Sequence, residues 1–205
     1  MSYDISLKDA TTGDTIELPV KHIMTGGTYR AEYTGGEFVP TPISDAWLNI
    51  TYNYGSYYYE ATEGDERFAH DEVSAYYSDG TQGPIRTEYG IRGIYGKTGA
   101  ESIPMLKDMV VRIEAKYKKD GEWISTERER TRYVEIATGK ELDFFTDILN
   151  KGMSEDLYKE ETYTEMVNEG PDTDYWEATA GNAIRPLYQL IAIASLRPDG
   201  VWEGD

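Results

Sequence analysis

Gly96, Lys97 and Thr98 stand directly ahead of an amphipathic stretch, and that placement invites a P-loop reading. A P-loop needs a first glycine five residues before the second. The backbone then wraps a phosphate, and the lysine sits at the mouth of a helix. Here that position is Ile91, with glycines at 90 and 93 instead, and no clear buried strand precedes it. Hydrolysis through a P-loop is therefore not expected. A weaker inference survives: a glycine-rich turn, a lysine and a helix start together favour an anion, because free N–H groups point outward there. The plainer reading of the same residues is a turn closed by a Thr98–Glu101 capping box.

Other residues widen the binding reading. Arg92, Lys97, Arg185 and Arg197 supply positive charge, and Tyr29, Trp47, Tyr54, Tyr95, Tyr175 and Trp176 supply flat rings. Asn49, Asn53 and Asn182 add amides that can read a base edge. Cation, ring and amide are what a nucleotide-type ligand requires: charge against phosphate and a face against the base. The expected ligand-binding set is Arg92, Tyr95, Lys97, Thr98, Trp47, Asn49, Asn53, Tyr175, Trp176, Asn182 and Arg185. The bland alternative is that the rings form core and the arginines cap helices.

Catalytic arrangements are harder to find. There is no G-x-S-x-G turn, and His22 and His70 stand in unrelated contexts. The 38 acidic residues show no spacing that singles out a pair. Asp4, Glu60, Glu101 and Glu177 read as caps or surface partners. Cysteine is absent, which removes disulfides, thiolate metal sites and cysteine nucleophiles and fits a reducing cytoplasm. No metal and no cofactor are expected, and binding is favoured over catalysis.

The chain of 205 residues carries a net charge of −18, so it repels nucleic acid and anionic membrane over most of its surface. Neither direct nucleic-acid binding nor membrane association is expected. There is no apolar run long enough to span a bilayer, and MSYDISLKD does not read as a signal peptide. The same charge leaves open an acidic decoy that blocks a nucleic-acid enzyme of a host.

The elements that must position these residues can be read in order. Tyr3, Ile5 and Leu7 alternate as a first strand, and Ile16, Leu18 and Val20 as a second, suggesting an N-terminal hairpin. WLNITYNY at 47–54 is the most convincing strand, and Ser56–Thr62 could open a helix. Leu106, Met109, Val110, Ile113 and Tyr117 repeat at helical spacing, with Ser102 as a candidate N-cap and Pro104 then in the first turn. TERERTRYVEI fits a solvated hairpin that turns at Thr138–Gly139, and 140–150 a short helix. Residues 151–174 look irregular. A last helix opens near Asn182, with Pro186 in its first turn. Between Asp120 and Glu169 there are 14 acidic and 6 basic residues, so much of the charge sits in that segment. One internal echo stands out: Tyr58 to Asp65 and Tyr175 to Asn182 share Tyr, an aromatic, Glu-Ala-Thr, any residue, Gly, then Asp or Asn.

The segments MSYDI, GGTY, WLNITYNY, GIRGIYGKTGAESIP, YWEATAGNA and RPDGVWEGD, in that order, resemble a group of short phage and bacterial proteins of uncharacterised function. The likeness covers roughly 1–29, 47–61, 90–113 and 175–205, where Arg92, Lys97, Arg185 and Arg197 lie. It implies a phage-associated accessory protein of the host cytoplasm and supplies no catalytic residues.

The expected architecture is one α+β domain over 1–205. A mostly antiparallel sheet packs on two main helices, Ile103–Lys118 and Asn182–Leu196, with acidic insertions at 33–45, 63–88 and 119–173. The expected function is non-catalytic capture of a small anionic, nucleotide-type ligand, such as a host defence signal. The alternatives are an acidic nucleic-acid mimic that inhibits a host protein, and an enzyme acting on a nucleotide or sugar. Homo-oligomers are compatible with all three.

Overall fold

The computed structural model describes residues 2–76 and 81–205, with the backbone alone at 75 and 76. Residues 77–80, inside the expected insertion at 63–88, lie outside the described residues. Helix takes about 32% and strand about 37%, and the strands pair antiparallel, which makes the fold α+β.

In chain order the elements are β1 (Ser2–Lys8), β2 (Glu17–His22), β3 (Ala31–Thr34), β4 (Glu37–Pro40), β5 (Ile43–Asp45) and β6 (Trp47–Thr51). Then come α1 (Gly55–Thr62), β7 (Asp71–Tyr76), β8 (Gln82–Glu88), α2 (Gly99–Tyr117), β9 (Lys118–Lys119) and β10 (Glu122–Trp123). The rest are β11 (Ser125–Glu135), β12 (Glu141–Leu142), β13 (Tyr158–Asn168), α3 (Ala180–Leu196) and β14 (Val201–Gly204). The chain divides into two compact units, one of 1–123 with 169–205 and the other of 124–168. The second unit falls within the stretch read above as an insertion of a single domain.

The first unit is organised on a three-stranded sheet in the order β14-β1-β6. β1 alternates as its sequence dictates, with Tyr3, Ile5 and Leu7 buried. It pairs Ile5 with Leu48 of β6 and Leu7 with Trp202 of β14. The expected β1–β2 hairpin is not formed: β2 pairs with β5, and only a bridge from Lys8 to Thr15 links the two strands. The Ile16 N–H donates to the Leu7 carbonyl as part of that bridge, but the Leu7 N–H donates to the Ala46 carbonyl and Ala46 to that of Ile16, so beyond the bridge β2 leaves β1 for β5. Gly27 closes that layer: a Cβ there would lie 1.6 Å from the Asn49 carbonyl oxygen.

The helices cover the inner face of this sheet. On α2 the buried residues Leu106, Met109, Val110 and Ile113 repeat at the spacing that defines one helical face. The helix begins earlier than Ser102: Thr98 is the N-cap, its hydroxyl accepting from the Glu101 N–H while Glu101 returns a bond from the Thr98 N–H. Pro104 therefore lies inside the helix. Ser102 serves instead as a buried acceptor for the Trp202 indole N–H at 2.7 Å. Thr179 likewise caps α3 through the Asn182 N–H, which places Pro186 inside that helix as well. α3 buries Leu187, Leu190, Ile193 and Ala194 but leaves Tyr188 and Leu196 exposed, so it is one-sided rather than enclosed. No helix is long and apolar enough to cross a membrane among the described residues.

Two of the expected insertions contain paired strands. β3 and β4 pair across Gly35–Gly36, and β7 pairs with β8. In the second unit β11 pairs along all eleven residues with β13, from Ser125↔Asn168 to Glu135↔Tyr158. The irregular reading of 151–174 is thus corrected over Tyr158–Asn168. That strand is polar on both faces, so period-2 hydrophobicity could not reveal it. The expected turn at Thr138–Gly139 joins β11 to the short β12. Residues 144–149 form one turn of wide helix.

Candidate functional site

A short turn, Ile91–Ile94, presents Arg92, one of the candidate cations of the first unit. Ile91 and Ile94 are buried and pin the turn to the core. Gly93 lets it approach closely: a Cβ there would meet the Phe68 backbone at 2.4 Å. Gly90, at φ 143°, makes the bend that precedes it. The alternation leaves Arg92 and Tyr95 directed to the other side.

Arg92, Tyr95 and Lys97 border one hollow of about 480 Å³, with Ala69, His70, Asp71, Gly93, Gly204 and Asp205 as the remaining lining. The Arg92 guanidinium donates to the Asp205 carbonyl at 2.9 Å and to the Tyr52 hydroxyl at 2.8 Å. It also lies 5.3 Å from the Tyr3 ring centre and 5.6 Å from that of Tyr52, within cation–π range. Among the described residues neither Arg92 nor Lys97 forms an ion pair with a side-chain carboxylate, in a chain with nearly two carboxylates for each cation. The Tyr95 hydroxyl reaches toward the Asp205 carbonyl at 3.4 Å, and burial pushes its pKa up to about 12, so it is a neutral donor at physiological pH. Opposite charge is present too: Asp71 and Asp205 share the lining, the latter accepting from the Asp4 N–H at 2.9 Å.

The other candidates lie elsewhere. Trp47 and Asn49 alternate along β6 with the core residues Leu48 and Ile50 and lie beside Asp4. The Asn49 amide is consumed by Ser2, Asp4 and the Thr28 N–H. Asn182 is fully buried and brackets the 172–177 loop, donating to the carbonyls of Asp174 and Glu177 and accepting from the Asp172 N–H. Asn53 donates to the Trp176 carbonyl and Arg185 to that of Asp172. Tyr175 and Trp176 pack ring to ring at 5.1 Å, with Trp176 half exposed. A hollow of about 80 Å³ lies beside them, well below the usual size of a ligand site.

The eleven candidates are thus brought together as one trio and one scaffold, not as a single ring around one cavity. Asn49 and Asn182 build loops and have no spare donors, which corrects their reading as base-reading amides. Thr98 is a helix cap. Arg197 is tied to Asp199 at 2.9 Å, and Tyr54 is buried with its hydroxyl on the Tyr175 carbonyl. The acidic residues singled out by sequence are also engaged. Asp4 accepts from Trp47 and Asn49, Glu60 binds Lys116 and Tyr117, and Glu101 completes a cap. The Glu-Ala-Thr echo has no structural counterpart: Thr62 ends α1, whereas Thr179 precedes α3.

Sequence reasoning missed His70, Asp71 and Asp205. His70 and Asp71 fall in the stretch read as an insertion, and only the fold brings them to Arg92. The His70 ring is nearly buried, with Nδ1 at 3.2 Å from the Phe68 carbonyl. Among the described residues no cluster of His, Asp or Glu could hold a metal ion. Comparison with protein-family models, curated proteins and solved structures gave no match.

Proposed function

We propose that this chain binds a small anionic, nucleotide-type ligand in the hollow bordered by Arg92, Tyr95 and Lys97. The observation that carries the reading is that Arg92 and Lys97, neither paired with a side-chain carboxylate among the described residues, border a cavity of about 480 Å³. That volume lies within the usual range for small-molecule sites. A phosphate or sulfate group would find a fixed guanidinium, a mobile ammonium and a neutral phenol donor there. The tyrosines beneath Arg92 orient it, so little side-chain freedom is lost on binding. The surrounding negative charge would discourage long nucleic acid and admit only compact anions. Together with the resemblance to phage-associated proteins, this supports capture of a nucleotide signal in a host cell, without catalysis.

A thermal-shift screen of nucleoside mono- and diphosphates, cyclic nucleotides and ADP-ribose tests the reading. Binders should raise the midpoint of the intact protein and lose that effect in Lys97→Glu. Lys97 is exposed, so the variant should fold normally. A panel without any binder, or shifts equal in protein and variant, would remove this reading.

A further inference from the structure

The second unit exposes more apolar bulk than it buries. Its buried large apolar side chains are Val134, Leu142 and Ile148. Ile136, Phe144, Phe145, Leu149 and Leu157 are between 39% and 65% exposed, and all lie in the connection between β11 and β13. Four of them stand in two neighbouring pairs, Phe144 with Phe145 and Ile136 with Leu157. Ring contacts run from Tyr158 to Tyr133 at 5.8 Å, from Tyr133 to Phe144 at 5.1 Å, and from Phe144 to Phe145 at 5.4 Å. The Ile136 N–H donates to the Leu157 carbonyl at 2.9 Å, which sets those two residues side by side. An apolar cluster concentrated at one end of a polar ribbon marks an interaction surface.

Charge identifies what covers it. Residues 135–160 carry seven carboxylates and three lysines. Lys151 is held by Asp147 and Lys159 by Glu161. Glu141, Glu155, Asp156 and Glu160 make no ion pair or side-chain hydrogen bond among the described residues. A second copy of this chain would set acid against acid, and nucleic acid or anionic lipid is repelled for the same reason. An occupant must be apolar at its centre and basic at its edge. An amphipathic helix with lysine or arginine on its polar face has that form and docks by laying its apolar stripe on such a surface.

We propose that the end of the β11–β13 ribbon, residues 136–157, docks a basic amphipathic helical segment of a partner protein. The surface lies wholly within the second unit and does not depend on the anion hollow of the first.

The test uses the full chain and three labelled synthetic peptides of about four helical turns. One is an amphipathic leucine–lysine helix, one has the same composition scrambled to destroy the apolar stripe, and one replaces lysine by glutamate. Fluorescence anisotropy is read at low and at near-physiological salt. The amphipathic basic peptide should bind at least about tenfold tighter than either control. Phe145→Ser and, separately, Glu141→Lys combined with Glu160→Lys should each weaken it by about tenfold, with unchanged thermal midpoints. Equal binding of the scrambled peptide would show charge attraction alone and overturn the proposal. So would indifference to Phe145→Ser, or absence of binding. A concentration-dependent dimer in sedimentation, lost in Phe145→Ser, would assign the surface to a second copy and likewise overturn it.

Discussion

Ser102 and Trp202, one hundred positions apart in the chain, share a buried hydrogen bond of 2.7 Å that fastens β14 to α2. The Ser102 hydroxyl also donates to the Gly99 carbonyl at 2.9 Å. Ser102→Ala leaves the indole N–H without a partner in a site closed to water. A loss of about 1–3 kcal/mol is expected, measured by urea denaturation. Tyrosine chemistry supplies a second expectation. Burial holds Tyr95 at about 12 and raises Tyr3, Tyr54, Tyr58 and Tyr117 further, each with a hydroxyl that must stay neutral in the folded state. Their pKa values are higher folded than unfolded. The stability they contribute is therefore complete below about pH 10, the unfolded value, and drains away as pH rises through 12 and beyond. Absorbance titration should show Tyr3, Tyr54, Tyr58, Tyr95 and Tyr117 ionising only with alkaline unfolding. Ionisation of these five near pH 10 with structure retained would contradict this.

Among the elements, helix starts carry the clearest liabilities. Gly181 sits in the first turn of α3 with the Pro171 nitrogen 2.2 Å from where a Cβ would be. Gly181→Ala should destabilise by about 1–3 kcal/mol or more, although alanine is ordinarily the better helix former. A thermal midpoint unchanged from the parent would show that the 169–171 segment gives way freely. Much at this scale was legible in the sequence. β1, β6 and the apolar stripes of α2 and α3 follow from the period-2 and period-3.6 patterning of their apolar residues. β13 was not legible, since its eleven residues are solvated and its order comes from pairing with β11. The β1–β2 hairpin was misread because a turn between alternating segments does not reveal which layer the second segment joins. The site was half legible for a related reason. Residue type nominated Arg92, Tyr95 and Lys97, but it equally nominated Asn49 and Asn182, whose amides are spent inside the scaffold. Side-chain type cannot tell a spare donor from a used one.

For the whole molecule, the division into two units has a consequence for stability. The main core, from Tyr3 to Trp202, draws no residue from 124–168. Replacing 124–168 by a short Gly/Ser linker, with Glu169 kept for its buried bonds to Tyr57 and the Ala180 N–H, should leave a first unit that unfolds cooperatively. Calorimetry of that variant checks it, and a molten, non-cooperative product would contradict it. The hollow bordered by Arg92, Tyr95 and Lys97 belongs to the retained unit, so under the proposed function the excised form should bind as the intact chain does. Equilibrium titration of the intact protein with a nucleoside diphosphate, and with the matching uncharged nucleoside, addresses the central claim most directly. Saturable binding of the diphosphate that weakens with salt and falls about tenfold or more in Lys97→Ala is the expected result. Equal binding of the uncharged nucleoside, or full affinity in Lys97→Ala, would contradict it.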